Sequence, residues 1–500
     1  MDRITIEYQQ FLDTLSDRER SSLSDFFSGF DLNFAVSGPD RRRFREDFEF
    51  AIMALYERGV DIDEAISRLS LENLGGFYAR QSVMWFPLDD AAKIYPISME
   101  HGVQNLFRLS VYFKEDVVPA VLQMALTFTV KRFPGFATTL KKGFFWHYLD
   151  AVKKRYTLAE ENDVPCQPIR ISLSGSSSFR LIYYKNRVSA EFFHVLTDGT
   201  GGMIFLKAIA AEYLRILHGV TPSHDEMGDL WDVNDTPMLE EFENAFVKIE
   251  RAKSSGGFIQ RRAIQMSGAL EYRRPCRILH FKMPTSALKD AAKKINSTVT
   301  VYLLSKMFLA CSAATDELSG DINIQLPVNM RKFYPTSTVR NFSMYCGIRL
   351  PVERITDKPE LSEEIAAQIA EKADREPMHE MITSAVKLVS ALRFIPLTIK
   401  APVAKLVYGF LGDKTCTTTF SNLGLVSMPE SLSEYIESMD FCLGAPESNR
   451  LAVAAVSFGG VTTFSITKNT ADPTFEEKMY KYLSDDGISV TVEGSAFYEN

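Results

Sequence analysis

The chain has 500 residues, of which 46% are hydrophobic and 24% are charged. This length predicts two large units, and the composition is that of an ordinary globular protein with enough apolar residues for a large core. The net charge of −8 excludes a nucleic-acid-binding role, which requires a basic face. The six cysteines are scattered, with no C-x-x-C pair and no neighbouring histidine. We therefore expect reduced core thiols in a cytoplasmic protein, without disulfides or a metal site.

Residues 1–78 are predicted to form an accessory helical segment. Apolar residues at helical spacing indicate helices over Ile4–Phe27 and Arg41–Arg58, with a turn between them at residues 37–40. The segment is acidic and amphipathic, which is not the character of a signal peptide. One face of the second helix has to be buried, either on the neighbouring lobe, which we favour, or on a partner protein. That face consists of Phe44, Phe48, Ile52 and Leu55.

Residues 79–260 are predicted to form a first lobe of mixed helices and strands. A strand-like segment at Asn105–Phe113 is followed by a helix that opens at Asp116 and closes at Pro134. Three strands follow, with a hairpin turn at Lys185-Asn186 between the last two. These strands are expected at Pro168–Leu173, Phe179–Tyr184 and Arg187–Phe193. A helix over Met203–Leu217 and a polar linker over residues 221–260 complete the lobe.

Residues 261–500 are predicted to form a second lobe. Because helices and strands mix in both halves, the fold class is α/β (an α+β sandwich), with two lobes around a central cleft. Strands are expected at Arg277–Phe281, Ile322–Val328, Met344–Leu350, Thr417–Phe420, Leu451–Phe458, Val461–Ile466 and Ser489–Glu493. Helices are expected after Thr285, from Ser297 to Cys311, over Leu361–Phe410 and over Thr474–Leu483.

An apolar stretch, Phe394–Leu411, lies at the end of the third of these helices. It is interrupted by Pro396, Lys400, Pro402 and Lys405. It is therefore too broken to span a membrane, and we expect no transmembrane segment in the chain. A buried helix with cationic edges is the favoured interpretation, and contact with a bilayer surface is the alternative.

The most informative segment is an H-x-x-x-D-G motif formed by His194, Asp198 and Gly199. A predicted strand precedes it and a predicted helix follows it. This is a good position for a general base, because strand ends project side chains into clefts and glycines let a ligand approach the backbone. The helix N-terminus also directs N–H groups at developing negative charge. The alternative is a core histidine followed by a helix-capping aspartate.

Further segments accompany this motif in a fixed order. They are residues 86–96, Leu326–Arg331, Arg340–Phe342 and Thr418–Gly424. From about Trp85 onward the ordered set resembles the chloramphenicol-acetyltransferase-like superfamily of condensation domains and HxxxD acyltransferases, and within it the bacterial alcohol acetyltransferases and PapA5-like acyltransferases. Condensation domains have a second histidine where this chain has Phe193, which favours the single-histidine acyltransferases. The D-F-G-W-G motif of the plant enzymes is absent, so their substrate classes do not transfer.

The resemblance implies two chloramphenicol-acetyltransferase-like lobes, with His194 as the general base. Asp198 would orient His194 if the site worked as a catalytic triad does. In the resembling families, however, this aspartate points away and pairs with an arginine of the other lobe, and the matching position here is Arg331. We therefore expect Asp198 and Arg331 to form a structural pair at the site. An exposed Arg331 is the alternative.

Two short segments are predicted to bind the substrates. The glycine-rich turn would let the pantetheine arm and the acceptor pass close to the backbone, with an ordinary flexible turn as the alternative. The second segment resembles the second-lobe motif that faces the histidine, where a polar group would help to bind the oxyanion. A plain strand-to-turn role is the alternative there. The residues are Gly199, Thr200 and Gly201 in the first segment, and Thr419, Ser421 and Asn422 in the second.

The predicted activity is direct transfer of an acyl group from acyl-CoA to a hydroxyl acceptor, or less favourably to an amine. No serine or cysteine nucleophile elbow is present, which agrees with direct attack. Acyl-CoA is expected as a co-substrate, with no bound cofactor and no metal, and the partners are acyl-CoA and a small-molecule acceptor in a monomeric enzyme. Two alternatives stay open: condensation-type transfer from a carrier-protein thioester, and a non-catalytic interaction protein that retains the fold.

Overall fold

The chain folds into two lobes of mixed helices and strands, preceded by N-terminal helices. The computed structural model describes residues 3–30, 38–70, 85–98, 105–151, 155–169, 176–252, 261–271, 275–402, 413–446 and 448–495. The helices among these residues are α1 (Arg3–Thr14), α2 (Asp17–Ser28), α3 (Gly38–Glu57), α4 (Ile62–Arg68), α5 (Tyr95–Ser98), α6 (Pro119–Arg132), α7 (Gly199–His218), α8 (Thr285–Lys294), α9 (Val299–Ala313), α10 (Pro359–Lys372), α11 (Arg375–Ala391), α12 (Glu430–Ser433) and α13 (Thr474–Asp485).

The strands form three sheets. Strands β1 to β8 are Trp85–Pro87, Leu106–Phe113, Thr138–Lys142, His147–Ala151, Leu158–Glu160, Ser176–Ser177, Phe179–Tyr184 and Arg187–Phe193. Strands β9 to β16 are Arg277–Pro284, Asp321–Asn329, Ser343–Pro351, Thr418–Leu425, Ile436–Leu443, Leu451–Phe458, Val461–Lys468 and Thr491–Gly494. The strand orders are β1-β4-β3-β6, β13-β2-β8-β7-β5 and β11-β10-β12-β14-β15-β9-β16.

The five-stranded sheet of the first lobe contains one strand from the second half of the chain. Strand β13 pairs antiparallel with β2, which pairs antiparallel with β8 on its other side. A polar contact crosses this junction, since the Tyr112 hydroxyl donates to Asp440 Oδ2 over 2.6 Å. The two lobes are therefore joined by backbone pairing within one sheet as well as by side-chain packing.

The seven-stranded sheet forms the centre of the second lobe. Strand β12 runs parallel to both of its neighbours, β10 and β14, and the other pairs in the sheet are antiparallel. All eight residues of β14 are buried. A continuous run of apolar and small residues is typical of a strand that is covered on both faces, and the sequence of β14 has this character. Strand β12 is paired on both sides, but only Thr418 and Phe420 among its eight residues are buried.

The N-terminal helices share a core with the first lobe. The predicted apolar face of α3 is buried, and the Phe48 ring lies 6.2 Å from the ring of Phe128 on α6. Asp47 accepts two hydrogen bonds from Arg155, at 2.5 and 2.6 Å. Arg68 donates to the Ile216 carbonyl at the end of α7, where a cation complements the helix dipole. The face therefore packs on the first lobe.

Most predicted elements are present, but there are several differences, and the short strands β1, β3, β4, β5 and β6 were not predicted. The helix predicted over Ile4–Phe27 is two helices, because Ser16 forms a capping box with Glu19 and starts α2. The helix predicted over Leu361–Phe410 is divided into α10, α11 and a helical stretch at 397–402, and its remainder lies outside the described residues. Strand β13 was not predicted at all. Most of the strand predicted at Pro168–Leu173 also lies outside the described residues.

The prediction of a buried helix with cationic edges at Phe394–Leu411 is wrong for the described part. Phe394 is 72% exposed and Ile399 is 58% exposed, whereas Lys400 is buried. The Lys400 ammonium donates to the Leu392 carbonyl over 3.0 Å and lies 3.3 Å from the centre of the Trp146 ring. These partners compensate the burial of the charge. Within the described parts of the chain, no helix has the length and apolar character needed to cross a membrane.

We predict that Phe48→Ala lowers the free energy of unfolding of the whole first lobe by about 3–5 kcal/mol, the usual cost of an emptied aromatic site in a core. Ile6→Ala serves as the control, because Ile6 is 45% exposed. Urea denaturation followed by circular dichroism should show one shifted transition. A separate early transition, with the main transition unchanged, would mean that the N-terminal helices unfold independently.

Candidate active site

His194 is held at the end of β8 by hydrogen bonds of its own backbone. Its N–H donates to the Asn105 carbonyl over 3.0 Å, and its carbonyl accepts from Asn341 Nδ2 over 2.8 Å. Asn105 precedes β2, whereas Asn341 precedes β11 in the other lobe. The backbone of the histidine is therefore fixed between the two lobes, and its side chain is presented at their junction.

The imidazole of His194 is enclosed by aromatic rings. Tyr95 stacks on it with a centroid distance of 5.5 Å and an angle of 23°, and the Phe107 ring lies 4.7 Å away. Burial lowers the pKa of His194 to about 4, although the carboxylate of Asp198 and the Thr197 backbone act in the opposite direction. Its Nδ1 atom is buried without a hydrogen-bond partner among the described residues. The ring is consequently neutral at physiological pH.

Asp198 caps α7 and contacts the other lobe. One carboxylate oxygen accepts from the Gly201 N–H over 3.0 Å. The other oxygen accepts from Arg331 Nη1 over 2.7 Å and from the Phe342 N–H over 2.8 Å. Both oxygens are thus engaged, and neither accepts a hydrogen bond from His194 in the described structure. The arrangement is not that of a catalytic triad.

Arg331 connects this carboxylate to the segment before β11. Its Nε donates to the Thr338 carbonyl over 2.9 Å, and its Nη2 donates to the Arg340 carbonyl over 2.7 Å. The Thr197 hydroxyl donates to the Val339 carbonyl over 2.6 Å. The structure therefore brings Asp198 and Arg331 together in a partly buried ion pair, and the pair holds residues 338–342 against residues 194–198.

The glycines after Asp198 have close neighbours within the protein. A Cβ atom at Gly201 would lie 2.0 Å from the Val339 carbonyl oxygen, and one at Gly199 would lie 2.8 Å from the Leu423 side chain. The absence of a side chain at Gly201 is thus explained by contact between the lobes, without any ligand. The contact of Gly199 with Leu423 places β12 of the second lobe beside the start of α7.

The polar residues of the two predicted substrate segments have different surroundings. Thr200 accepts a hydrogen bond from Asn329 over 3.1 Å. Asn422 donates to Thr300 over 3.2 Å and accepts from the Gly424 N–H over 2.8 Å, so both the nitrogen and the oxygen of its amide are engaged within the protein. Thr419 and Ser421 share one face of β12, because they alternate with the buried Phe420. Thr419 contacts Gln325 at 3.4 Å.

The sequence predicts the segments of this site but not the individual contacts of several of its residues. Tyr95 lies within residues 86–96 and stacks on the ring of His194. Asn341 lies within Arg340–Phe342 and binds the backbone carbonyl of His194. Asp89 accepts from Arg340 Nε over 3.1 Å, and burial raises the pKa of Asp89 to about 7 although the Arg340 charge opposes the shift. A pairing of two side chains that are far apart in the chain, such as Asp89 and Arg340, leaves no periodic pattern in the sequence, so only the tertiary structure reveals it.

A small apolar cavity of about 10 Å³, with room for about one water molecule, lies beside the histidine loop. Leu196 and Val339 line it from the two sides of the junction described above, together with Phe136 and the Arg340 side chain. Among the described residues, no cluster of histidine, cysteine, aspartate or glutamate side chains could hold a metal ion. The junction thus combines a neutral base with apolar side chains and a few polar groups, which are the kinds of residue that line small-molecule sites.

Solved structures of other proteins share this fold. TRI3, a trichothecene 15-O-acetyltransferase from Fusarium sporotrichioides, matches 81% of this chain and 96% of its own, with 12% identity and a TM-score of 0.52. TRI101 of F. sporotrichioides, complexed with coenzyme A and T-2, matches 82% and 100%, with 13% identity and a TM-score of 0.53. The starter condensation domain of rhizomide synthetase, complexed with C8-CoA and Leu-SNAC, matches 81% and 94%, with 12% identity and a TM-score of 0.52. No family model and no curated protein matches the sequence.

At these identities the similarities show the fold. The chain has the two-lobed fold that is also seen in these acetyltransferases and this condensation domain, and this is the fold that the sequence motifs predict. A fold of this kind serves more than one chemistry, so the activity has to be argued from the residues of the site.

We predict that His194 makes the folded protein less stable as the pH falls from 7.5 to 5. Unfolded histidine binds a proton near pH 6.5, whereas the folded protein resists protonation of His194 down to about pH 4, so acid favours unfolding between these values. Unfolding free energies at both pH values should show that His194→Gln loses less stability than the wild type, by about 1–2 kcal/mol. His224→Gln, at an exposed position, is the control. Equal losses in wild type and His194→Gln would contradict the depressed pKa.

We predict that Asp198→Asn and Arg331→Ala each destabilise the protein by about 3–5 kcal/mol, because each leaves a buried charge unpaired. Asparagine can still cap α7, so the first variant isolates the charge. The double variant should lose less than the sum by at least about 0.5 kcal/mol. The exposed pair Lys481–Asp485 provides a control cycle with little coupling. Additive losses at Asp198 and Arg331 would show that the two charges do not depend on each other.

Proposed function

We propose that this protein is an acyltransferase that moves an acyl group from acyl-CoA to a hydroxyl acceptor, with His194 as the general base. The observation that carries the proposal is the neutral imidazole of His194, fixed at a strand end between two lobes and enclosed by aromatic rings. The shared fold of O-acetyltransferases supports the reaction class, and the coenzyme A in the TRI101 complex supports the donor class.

The proposed reaction needs one proton to move twice. His194 accepts the proton of the acceptor hydroxyl while its oxygen attacks the thioester carbonyl, and a tetrahedral oxyanion forms. The oxyanion then re-forms the carbonyl, the carbon–sulfur bond breaks, and the imidazolium returns the proton to the CoA thiolate. An imidazolium with a pKa near 4 donates readily to a thiolate, because the pKa of a thiol is much higher, about 8.5 for cysteine. No acyl-enzyme is required.

Ser421 is the proposed oxyanion donor. It lies on β12, two residues before the leucine that contacts Gly199 at the start of α7. Asn422, the competing candidate, already uses its amide for Thr300 and Gly424. An oxyanion bound by a preorganised hydroxyl is stabilised only once the charge develops, which is the condition for catalysis. Thr200 and Thr419 are then proposed to contact the pantetheine arm.

Asp198 and Arg331 are proposed to act without touching substrate. Their ion pair fixes the histidine loop against residues 338–342, and Asn341 of that segment binds the His194 carbonyl. A base must be positioned within hydrogen-bond reach of the proton that it removes, so loss of the pair would reduce catalysis through misplacement of His194. Within the acyltransferases, we propose an alcohol acetyltransferase of bacterial type, on the basis of the H-x-x-x-D-G motif and its companion segments.

We predict that His194→Ala reduces acyl transfer by about a hundredfold or more, the scale of general-base catalysis, while the fold is retained. Mass spectrometry of reactions with acetyl-CoA to palmitoyl-CoA and a panel of alcohols and amines identifies the product and measures the rate. In the pH profile of kcat/KM, the apparent pKa of the acid limb should lie well below the ordinary pKa of histidine, which is about 6.5. The reason is that the imidazole of His194 in the free enzyme stays neutral down to about pH 4.

His224→Ala is the matched control, since His224 is exposed and lies outside the site. A folded His194→Ala protein with the wild-type rate would refute the role of the base. The absence of any product from all acyl-CoA donors, with transfer from a carrier-bound thioester instead, would support the condensation-type alternative over the CoA-dependent reaction.

A further inference from the structure

A cluster of exposed aromatic and aliphatic side chains, which we call the aromatic surface, lies where the β3–β4 turn of the first lobe meets the region after α11. Phe144 and Phe394 are 71% and 72% exposed, and Ile399 is 58% exposed. Phe145 connects them, because its ring lies 4.8 Å from that of Phe144 and 6.4 Å from that of Phe394. Large apolar side chains that are exposed together mark an interaction site.

The aromatic surface is held in place from beneath. The Leu397 N–H donates to the Phe144 carbonyl over 2.8 Å, which joins the two chain segments. Lys400 is buried under the surface, with its ammonium over the Trp146 ring. The exposure of the phenylalanines is therefore a consequence of ordered packing, in which a lysine is turned inward and the aromatic rings are turned outward.

Exposed cations adjoin the aromatic surface along the chain, in an otherwise acidic protein. Residues 381–399 contain Lys387 and Arg393 and no aspartate or glutamate, whereas the whole chain has a net charge of −8. Lys142, Lys387 and Arg393 are exposed and have no ion-pair partner among the described residues. Exposed aromatic rings bordered by unpaired lysine and arginine are the composition of a surface that binds an anionic lipid interface.

We propose that the aromatic surface docks this protein on an anionic lipid bilayer. The aromatic side chains lie in a hairpin turn and just after the end of α11, and their exposure leaves them free to enter the headgroup region. A protein–protein interface would instead be expected to be depleted in lysine. Docking does not require acyl transfer, and no helix has to cross the membrane.

The aromatic surface is close to the proposed site. Lys93 lies 5.8 Å from the Trp146 ring, and Tyr95, two residues later, stacks on His194. If the proposed function holds, docking would bring a lipophilic acceptor or a long-chain acyl donor near the side chains that lead from Trp146 to His194.

The test is flotation of the full chain with vesicles of phosphatidylcholine alone and with vesicles in which one lipid in three is phosphatidylglycerol. We expect binding to the anionic vesicles that weakens at about 0.5 M salt. The double variant Phe144→Ser/Phe394→Ser should bind at least about tenfold more weakly, since each phenylalanine loses its apolar burial. Arg393→Glu should lose about fivefold or more, from one removed cation and one added anion.

Leu318→Ser and Lys289→Glu are the matched controls, because Leu318 is 90% exposed and Lys289 is exposed on α8. Both should float as the wild type does, and all variants should keep the wild-type melting transition. Equal binding of wild type to the two vesicle types, no binding to either, or undiminished binding of the phenylalanine variant would each overturn the proposal. So would a wild-type dimer that the phenylalanine variant abolishes without any vesicle binding, because the surface would then join two copies.

Discussion

The buried ion pair between Asp198 and Arg331 is the interaction on which the site depends. A carboxylate removed from water has to be hydrogen-bonded and paired, and Asp198 satisfies both needs from two lobes at once. Its bond to Gly201 starts α7, whereas its bonds to Arg331 and Phe342 hold the segment before β11. One side chain thus caps the first turn of a helix and forms hydrogen bonds that connect the two lobes.

The surroundings of His194 follow from this junction. With Asp198 engaged elsewhere, the imidazole has aromatic neighbours and a desolvated Nδ1 atom, and its neutral form is strongly favoured. Such a histidine is expensive as a purely structural residue, because a buried polar atom without a partner costs about 1–3 kcal/mol. Groups of this kind call for an explanation, and a reacting proton is one.

A strand from the second half of the chain pairs within the sheet of the first lobe, and this pairing stabilises the junction of the lobes. Strand β13 completes the first sheet, and Thr463 and Thr467 of the second sheet donate to the β13 carbonyls of Met439 and Leu443. The N-terminal helices extend the first core on another side. The two lobes therefore resist separation near His194, while the aromatic surface remains exposed where the β3–β4 turn meets the region after α11.

The sequence by itself determined most of the helices, several of the longer strands and the position of the motif. Strands such as Arg187–Phe193 and Leu451–Phe458 have the predicted bounds, because hydrophobic periodicity and turn residues are local signals. The motif also identified His194, Asp198 and Arg331 as candidates. Only the tertiary structure decided which groups surround them, because the stacking of Tyr95, the Asn341 bond and the exchange of β13 join residues that are distant in the chain. For the same reason, the sequence did not reveal that Phe394 is exposed and Lys400 is buried. Hydropathy predicts burial only on average, whereas Lys400 is buried because it has particular partners, the Trp146 ring and the Leu392 carbonyl.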